Sequence, residues 1–125
     1  MPPDTRLRAL RIALVAFGLV FILGIYPLSI VWPSGWSWLP AQPALFQMIL
    51  GVYATLGLFL LLAVREPARH LSLLRFTVWS SVVHAVIMAV HAVRDGQTGH
   101  LFGDVAALVM VAAVIGLLMP ARQTA

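Results

Sequence analysis

Hydrophobic residues run almost without interruption through the chain, and charged or turn-forming segments divide them into four stretches. No charged residue stands between Arg11 and Arg65, and the turn-rich sequence PSGWSWLPAQP breaks this long gap near its middle. A membrane helix needs about 20 consecutive apolar residues, so two helices fit into the gap and two more follow it. We predict membrane spans at about residues 12–32, 44–64, 76–93 and 101–119.

The third stretch combines a polar stripe with an apolar face. Its polar or soft residues recur every three or four positions, which places them on one side of a helix. The stripe consists of Thr77, Ser81, His84, Met88 and His91, and the opposite face of Trp79, Val82, Val83, Val86, Ile87, Val90 and Val93. Ionisable groups at membrane depth are expensive and normally point into a bundle or a wet cavity. We therefore expect the stripe to face the interior of the protein.

The composition places the chain among integral membrane proteins. Of its 125 residues 62% are hydrophobic and only 10% are charged, with a mean hydropathy of +0.99, whereas soluble domains carry about 25% charged residues. We predict an all-α fold, a four-helix membrane bundle that forms a single transmembrane domain over residues 1–125. The third and fourth spans are close to the lower length limit, so they should stand nearly upright.

The positions of the basic residues are better explained by membrane topology than by binding of a nucleic acid. The formal net charge is +4 and all eight cations are arginine. Seven of them lie on one side if the first helix starts inside, namely Arg6, Arg8, Arg11, Arg65, Arg69, Arg75 and Arg122. Only Arg94 lies opposite. This positive-inside pattern predicts a multi-pass protein of the cell inner membrane with both termini cytoplasmic, and arginine without lysine or asparagine favours a GC-rich bacterial source.

The first span and the loop after it carry three local signals. Ile12 to Trp32 is too long for the hydrophobic part of a secretory signal, so we expect it to remain as a span. Gly18 and Gly24 would let a neighbouring helix approach, and Pro27 should kink or unwind the last turn. The loop that follows holds Trp32, Trp36 and Trp38. We interpret these as an interfacial aromatic belt, with a lid over an outward-facing cavity as the alternative.

Depth in the membrane indicates which polar residues can meet. Counting about 1.5 Å per residue from the outer surface places Gln47, His91 and Asp104 within the first turn of their helices. Tyr53 and His84 both lie about nine residues in, and Tyr26 lies between the two levels. We predict a polar pocket that opens outward and is formed by these six residues. Gln47 and Tyr53 cannot share one face of a straight helix, so at most one of them points into it.

Asp104 is the most informative single residue of this set. It would lie at the positive end of its own helix, at i, i+4 from His100, and within reach of His91 across the bundle. A capping role and a ligand or proton role remain open. Convergence of His91, His100 and Asp104 could hold zinc or copper, which is the weak metal hypothesis. His84 and His91, about 10 Å apart, are too far apart for one ion or one haem.

The chain has no recognisable catalytic site. It contains no cysteine, no phosphate-binding glycine loop, no Ser-His-Asp order and no carboxylate pair for hydrolysis. We therefore name no catalytic residue, and both enzymatic activity and the identity of any cofactor stay open.

Several segments together resemble a known class of small membrane proteins. They are GIYPL at the end of the first helix, GVYATLGLFLLLAVREP in the second, and WSSVVHAVIMAVH followed by GHLFGDVAAL. Over residues 24 to 119 the chain resembles the uncharacterised bacterial four-helix membrane proteins of the DoxX-like kind. This resemblance implies a four-helix bundle that assists membrane redox or quinone-linked systems.

Three functional hypotheses follow. In the first, the outward pocket binds a small amphipathic molecule, a quinone or a lipid, through His84, His91 and Asp104. In the second, the protein is an accessory or scaffold subunit of a larger membrane complex, and its polar stripe only joins helices. In the third, it is an oligomeric transporter or proton channel, against which stands the absence of polar residues in the inner half of the fourth helix.

Overall fold

Every regular element in the described part of the chain is helical. The structure is a computed structural model that describes residues 2–38, 40 and 42–120, so Arg122 lies outside it. The α-helices are α1 Pro3–Leu19, α2 Ile25–Val31, α3 Pro33–Trp36, α4 Pro43–Leu62, α5 Leu71–Arg94 and α6 Asp104–Leu118. A π-helical segment, Val20–Gly24, joins α1 to α2, and short 3-10 turns, Pro67–His70 and Thr98–Leu101, precede α5 and α6.

Four helical segments are long and apolar enough to cross a membrane. The first span is Pro3–Val31, the second Pro43–Leu62, the third Pro67–Arg94 and the fourth Thr98–Leu118. The chain is therefore a multi-pass, all-helical membrane protein by length and composition. The third span is longer than the sequence predicted, because its helix α5 begins at Leu71 and a 3-10 turn extends it toward the second span. Hydrophobicity alone did not show that the polar segment before Phe76 is helical.

The spans pack in the order second, first, fourth, third. The first span touches both the second and the fourth, and the fourth packs along the third over most of its length. The second and third spans touch each other only slightly, although they follow one another in the sequence. We call the end of the bundle that holds Arg6 and Arg65 the arginine end, and the end that holds the loop at residues 33–38 the tryptophan end.

The arginine end is closely packed. Its core contains fully buried side chains from all four spans, namely Leu10, Leu14, Leu60, Leu74 and Ile115. Near this core the first and second spans meet at Gly18 and Gly57, where a Cβ atom on Gly57 would lie 2.6 Å from the carbonyl oxygen of Gly18. The predicted close approach at Gly18 is thus confirmed. By contrast, Gly51 faces open space and Gly24 has only its own helix nearby.

Arginine side chains tie the helix ends together at this end. The guanidinium of Arg6 donates hydrogen bonds to the carbonyl oxygens of Leu117 at 2.8 Å and Met119 at 2.9 Å. Arg11 donates to the carbonyl oxygen of Arg65 at 2.9 Å. The last carbonyls of a helix have no partner within it, so Arg6 supplies the missing donors at the end of the fourth span.

The irregular part of the first span lies before Pro27. Proline has no N–H to donate one turn back, and the preceding residues Val20–Gly24 form the π-helical segment while α2 continues to Val31. Of the two alternatives predicted for Pro27, unwinding of the last turn does not occur, and the irregular segment lies before the proline. A π turn rotates the side chains that follow it relative to a regular helix, and Tyr26 lies on the outer surface with 58% of its area exposed.

The polar stripe of the third span faces the interior as predicted over most of its length. Thr77 and Ser81 are buried, His84 and Met88 are half-buried, and only His91 at the tryptophan end is exposed. Every member of the predicted apolar face is exposed, from Trp79 to Val93. The short side chains Ala85 and Ala92 are buried as well, which is how the third and fourth spans come so close together.

The loop at the tryptophan end folds onto the start of the fourth span. A Cβ atom on Gly103 would clash with the carbonyl oxygen of Gly35, and one on Gly99 would lie 2.6 Å from that of Ser34. Only residues without a side chain allow the two backbones to approach so closely. This contact holds the loop across the tryptophan end of the bundle.

Candidate functional site

A cavity of about 270 Å³ lies inside the tryptophan end, between all four spans. Its side walls are mostly apolar and include Phe21 from the π segment and Leu108 from the fourth span. Ligand pockets are typically apolar concavities of about 300–1,000 Å³ with a few placed polar groups. The cavity is close to the lower end of this range, so it fits a small ring or head group.

The floor of the cavity is a hydrogen bond between the second and third spans. Tyr53 Oη and His84 Nδ1 are hydrogen-bonded, and their rings lie with centroids 5.6 Å apart. The ring of Phe21 packs edge-on against Tyr53, with centroids 5.1 Å apart and an interplanar angle of 70°. The equal depth of Tyr53 and His84, counted from the sequence, thus corresponds to a direct contact. This bond joins two spans that otherwise touch little.

The roof of the cavity consists of Trp36 and Trp38. Trp38 Nε1 donates a hydrogen bond of 2.8 Å to Asp104 Oδ2, and its ring stacks on His100 with centroids 3.7 Å apart. The aromatic-belt interpretation was therefore wrong for Trp38, and the lid alternative describes it better. Trp32 lies outside the cavity lining and is 41% exposed, so the belt interpretation stays a prediction for it.

His100 and Asp104 form a buried pair beneath Trp38. His100 Nδ1 lies 3.0 Å from Asp104 Oδ1, and His100 Nε2 lies 3.1 Å from the carbonyl oxygen of Ser37. A carbonyl oxygen only accepts, so Nε2 must carry a proton. One further proton must lie between Nδ1 and the carboxylate. The pair therefore has no net charge, whether this proton is on the imidazole or on the carboxyl group.

The cavity has an opening between the second and third spans. Ile49 and Ile87 line it from either side and are 45% and 52% exposed. His91 lies at the same opening, and 55% of its side chain is exposed. In a bilayer this opening faces the acyl chains, because both helices have the length and composition of membrane spans.

Four of the six residues predicted for the pocket line this cavity. They are Tyr53, His84, His91 and Asp104. Gln47 and Tyr26 are exposed and lie outside its lining, so the structure does not bring them into this cavity with the other four. Gln47 is six positions before Tyr53 and points away from it, as the spacing required. Tyr26 is rotated outward after the π segment, and Phe21 and Ile25 take its place in the wall.

The weak metal hypothesis fails on geometry. Asp104 pairs with His100, and His91 instead lies near Asp95, with 3.8 Å between Nδ1 and Oδ2. Among the described residues no group of three histidine, cysteine or acidic side chains is placed to hold a metal ion. The predicted contact between His91 and Asp104 does not form, because the exposed end of the third span turns His91 toward the opening.

A second, more exposed cavity of about 330 Å³ lies on the other side of His100. The loop residues Ser34 and Ser37 and the turn at Gly96 to Gly99 form its walls. Since His100 lines this cavity and Asp104 lines the first, the bonded pair separates the two spaces.

Sequence reasoning undervalued Trp36 and Trp38 as site residues. Tryptophan at a span end has a sufficient explanation in the membrane interface, so the roof could not be preferred from composition. One usable signal was the presence of glycine in both segments, at Gly35 in the loop and at Gly99 and Gly103 before the fourth helix. These glycines mark the place where the two backbones meet.

The helices and the cavity define an all-helical, multi-pass membrane protein with an internal cavity at one end. The chain belongs to a family of unknown function, DUF6632, whose sequence model matches residues 4–124. No curated protein and no solved structure matches the chain. The resemblance to DoxX-like proteins receives no support from these comparisons.

Proposed function

We propose that this protein binds a small amphipathic molecule, a quinone or a lipid, in the cavity at its tryptophan end, or assists a membrane redox system. The observation that carries the proposal is the layout of the cavity. Polar groups lie at its floor and roof, apolar side chains form the walls, and the opening is flanked by Ile49 and Ile87. A polar head would occupy the cavity and an apolar chain would extend between the second and third spans.

We also propose an orientation in the bacterial inner membrane. Arg6 donates to the last carbonyls of the fourth span and Arg11 to the carbonyl oxygen of Arg65 at the same end of the bundle, and arginine is enriched in the cytoplasmic loops of membrane proteins. The arginine end would then be cytoplasmic, with both termini inside. The cavity would lie in the outer leaflet.

The proposal is tested by purifying the protein in mild detergent and analysing one sample by native mass spectrometry, absorption spectroscopy and lipid extraction. We expect a bound amphipathic molecule of defined mass. His84→Leu removes a polar group of the floor, and we expect it to lower the occupancy while the protein still folds. Gln47→Leu is the matched control, because Gln47 is exposed outside the cavity.

Unchanged occupancy in His84→Leu would contradict the proposal, as would a purified protein that holds nothing and takes up neither quinone nor lipid when these are added. Folding is followed separately by circular dichroism and by elution as a single species. A variant that fails to fold is replaced by Leu108→Phe, which fills the cavity from the fourth span without removing a hydrogen bond.

A scaffold function is the second candidate, and one observation favours it. Most polar groups around the cavity bind each other, in the pairs Tyr53–His84 and His100–Asp104, as expected of side chains that hold helices together. In membrane proteins such bonds contribute about 0.6–2 kcal/mol each. Under this function His84→Leu would lower stability or dissociate a complex, and no small molecule would be lost.

A transporter or proton channel has less support. The described arginine end is filled by fully buried leucine and isoleucine side chains, among them Leu14, Leu60 and Ile115. A path across the membrane would need polar groups or water there. Proton flux into liposomes that is abolished by Asp104→Asn would favour this function over the binding of an amphipathic molecule.

A further inference from the structure

The hydrogen-bonding groups that the cavity leaves free are mainly donors. Apart from the ring nitrogens of His91 at the exposed opening, two side-chain nitrogen atoms of the lining lack a hydrogen-bond partner among the described residues, His84 Nε2 and Trp36 Nε1. Trp36 Nε1 is buried, and the bond to Tyr53 is made by the other ring nitrogen of His84, Nδ1. The chemistry of these two atoms determines what kind of head group the cavity accepts.

His84 Nε2 acts as a donor because of the bond on the other side of the ring. The hydroxyl of Tyr53 is a good donor and the unprotonated imidazole nitrogen is a better acceptor than a phenol oxygen. Tyr53 therefore donates to His84 Nδ1, and the single ring proton of a neutral histidine stays on Nε2. This tautomer is assigned from the hydrogen bond. A doubly protonated ring would also present Nε2 as a donor.

Trp36 Nε1 can only donate, because the indole nitrogen has no free lone pair. Buried donors of this kind are almost always paired in native proteins. An acceptor supplied by a bound molecule would provide the missing partner. A slight displacement of the roof would give the molecule access to this atom.

The acceptors around the cavity are largely occupied. Asp104 Oδ2 accepts from Trp38 Nε1, and Asp104 Oδ1 is bonded to His100. The phenol oxygen of Tyr53 keeps only a weak accepting capacity while it donates to His84. His91 and Asp95 are the remaining titratable groups nearby, and both are exposed at the rim.

We propose that the head group bound here is a hydrogen-bond acceptor, a carbonyl compound that receives bonds from His84 Nε2 and Trp36 Nε1. This inference rests on the proposed function, that an amphipathic molecule occupies the cavity. Two sources offer such a head, the carbonyls of an oxidised quinone and the ester carbonyls of a lipid. In either case the form that lacks the carbonyl binds more weakly.

The experiment compares two matched pairs of molecules on the full chain in detergent micelles by isothermal titration calorimetry. One pair is a benzoquinone with a decyl chain and its hydroquinone, handled without oxygen. The other is a diester phospholipid and the corresponding diether phospholipid. A neutral hydrogen bond changes affinity by a factor of about 2–10, so we expect the carbonyl form of at least one pair to bind about 10-fold more tightly.

Variants test the two donors separately. Trp36→Phe keeps an aromatic ring but removes the N–H donor. It should weaken binding of the carbonyl form about 2–10-fold and leave binding of the hydroquinone or the diether lipid unchanged. Tyr53→Phe frees His84 to exchange tautomers and should reduce the preference for the carbonyl form. Trp32→Phe is the control, since Trp32 is exposed outside the lining. Trp36→Phe alone carries the test if Tyr53→Phe does not fold.

The outcomes separate this inference from the function on which it rests. A preference for either carbonyl form that Trp36→Phe reduces supports the inference and identifies the source. Equal or stronger binding of the hydroquinone and the diether lipid overturns the donor inference, although an amphipathic molecule still binds. Binding of none of the four molecules overturns the proposed function and the inference together.

Discussion

The two ends of this bundle use the same helices in different ways. At the arginine end, large aliphatic side chains from all four spans are fully buried and the first and second spans touch at Gly18 and Gly57. At the tryptophan end a cavity of about 270 Å³ lies between the four spans. Close packing and a cavity therefore occupy opposite ends of one short bundle.

This difference shows where stability and binding are expected to reside. Helix association in lipid depends on close packing and on hydrogen bonds between helices, because lipid chains are as apolar as leucine. The arginine end relies mainly on packing. The tryptophan end relies on the hydrogen bonds of Tyr53, His84, His100 and Asp104, which leaves room for a bound molecule.

The largest effect on stability is expected from breaking the buried pair of His100 and Asp104 beneath the roof of the cavity. His100→Leu leaves Asp104 buried with Trp38 as its remaining side-chain partner, and removing one member of a buried pair costs about 3–5 kcal/mol. We expect a fall of this size in the free energy of unfolding, measured by denaturant titration in mixed micelles. His70→Leu, at an exposed position of the arginine end, is the control. A change below about 1 kcal/mol in His100→Leu would mean that the pair is not structural.

The next largest effect on stability is expected from disturbing the close packing of the arginine end. Gly57→Val places a branched side chain against the backbone of Gly18, and overpacking costs about 1–3 kcal/mol. The same measurement should show little change for Gly51→Val, because nothing lies within 4 Å of a Cβ atom at Gly51. Equal effects of the two substitutions would contradict the description of the arginine end as the packed half.

A smaller effect on stability is expected from removing the hydrogen bond at the floor of the cavity. Tyr53→Phe removes the hydrogen bond to His84 while the ring keeps its contact with Phe21, so we expect a loss of about 1 kcal/mol. Hydrogen exchange of the backbone amides should increase near His84 and stay unchanged near Leu60. The control is Tyr26→Phe, since Tyr26 is exposed. Loss of protection spread evenly over both ends would show that the two halves are not independent.

The smallest effect concerns the helix termini. Arg6→Gln removes donors from the last carbonyls of the fourth span, at an exposed position, so we expect a loss below about 1 kcal/mol. Arg8→Gln is the matched control because Arg8 makes no hydrogen bond or ion pair with the described residues. Heat denaturation in detergent followed by circular dichroism would detect the difference. A larger loss for Arg8→Gln would contradict the capping role of Arg6.

The parts of the fold that depend on local periodicity could be predicted from the sequence. Hydrophobic runs predict four long apolar helices, and a spacing of three and four places Thr77, Ser81 and His84 on the interior face. Equal depth placed Tyr53 and His84 in one predicted pocket, where they are in direct contact, whereas His91 and Asp104, also predicted at one depth, do not meet. The bond between His100 and Asp104 also followed from local spacing.

The parts that depend on tertiary structure could not be predicted. The π segment changes the direction of Tyr26, and no residue type marks such a segment in advance. His91 shares its stripe with His84, but it lies at the opening of the cavity and is exposed. The place of Trp36 and Trp38 above the cavity depends on a backbone contact between two distant segments.

The opening beside Ile49 and Ile87 has a consequence for how occupancy must be measured. A molecule that enters there moves by two-dimensional diffusion within the leaflet and does not need to pass through water. Its effective concentration is then its mole fraction in the surrounding lipid or detergent. Adding empty micelles or vesicles at a constant total amount of this molecule should dilute it and lower the occupied fraction.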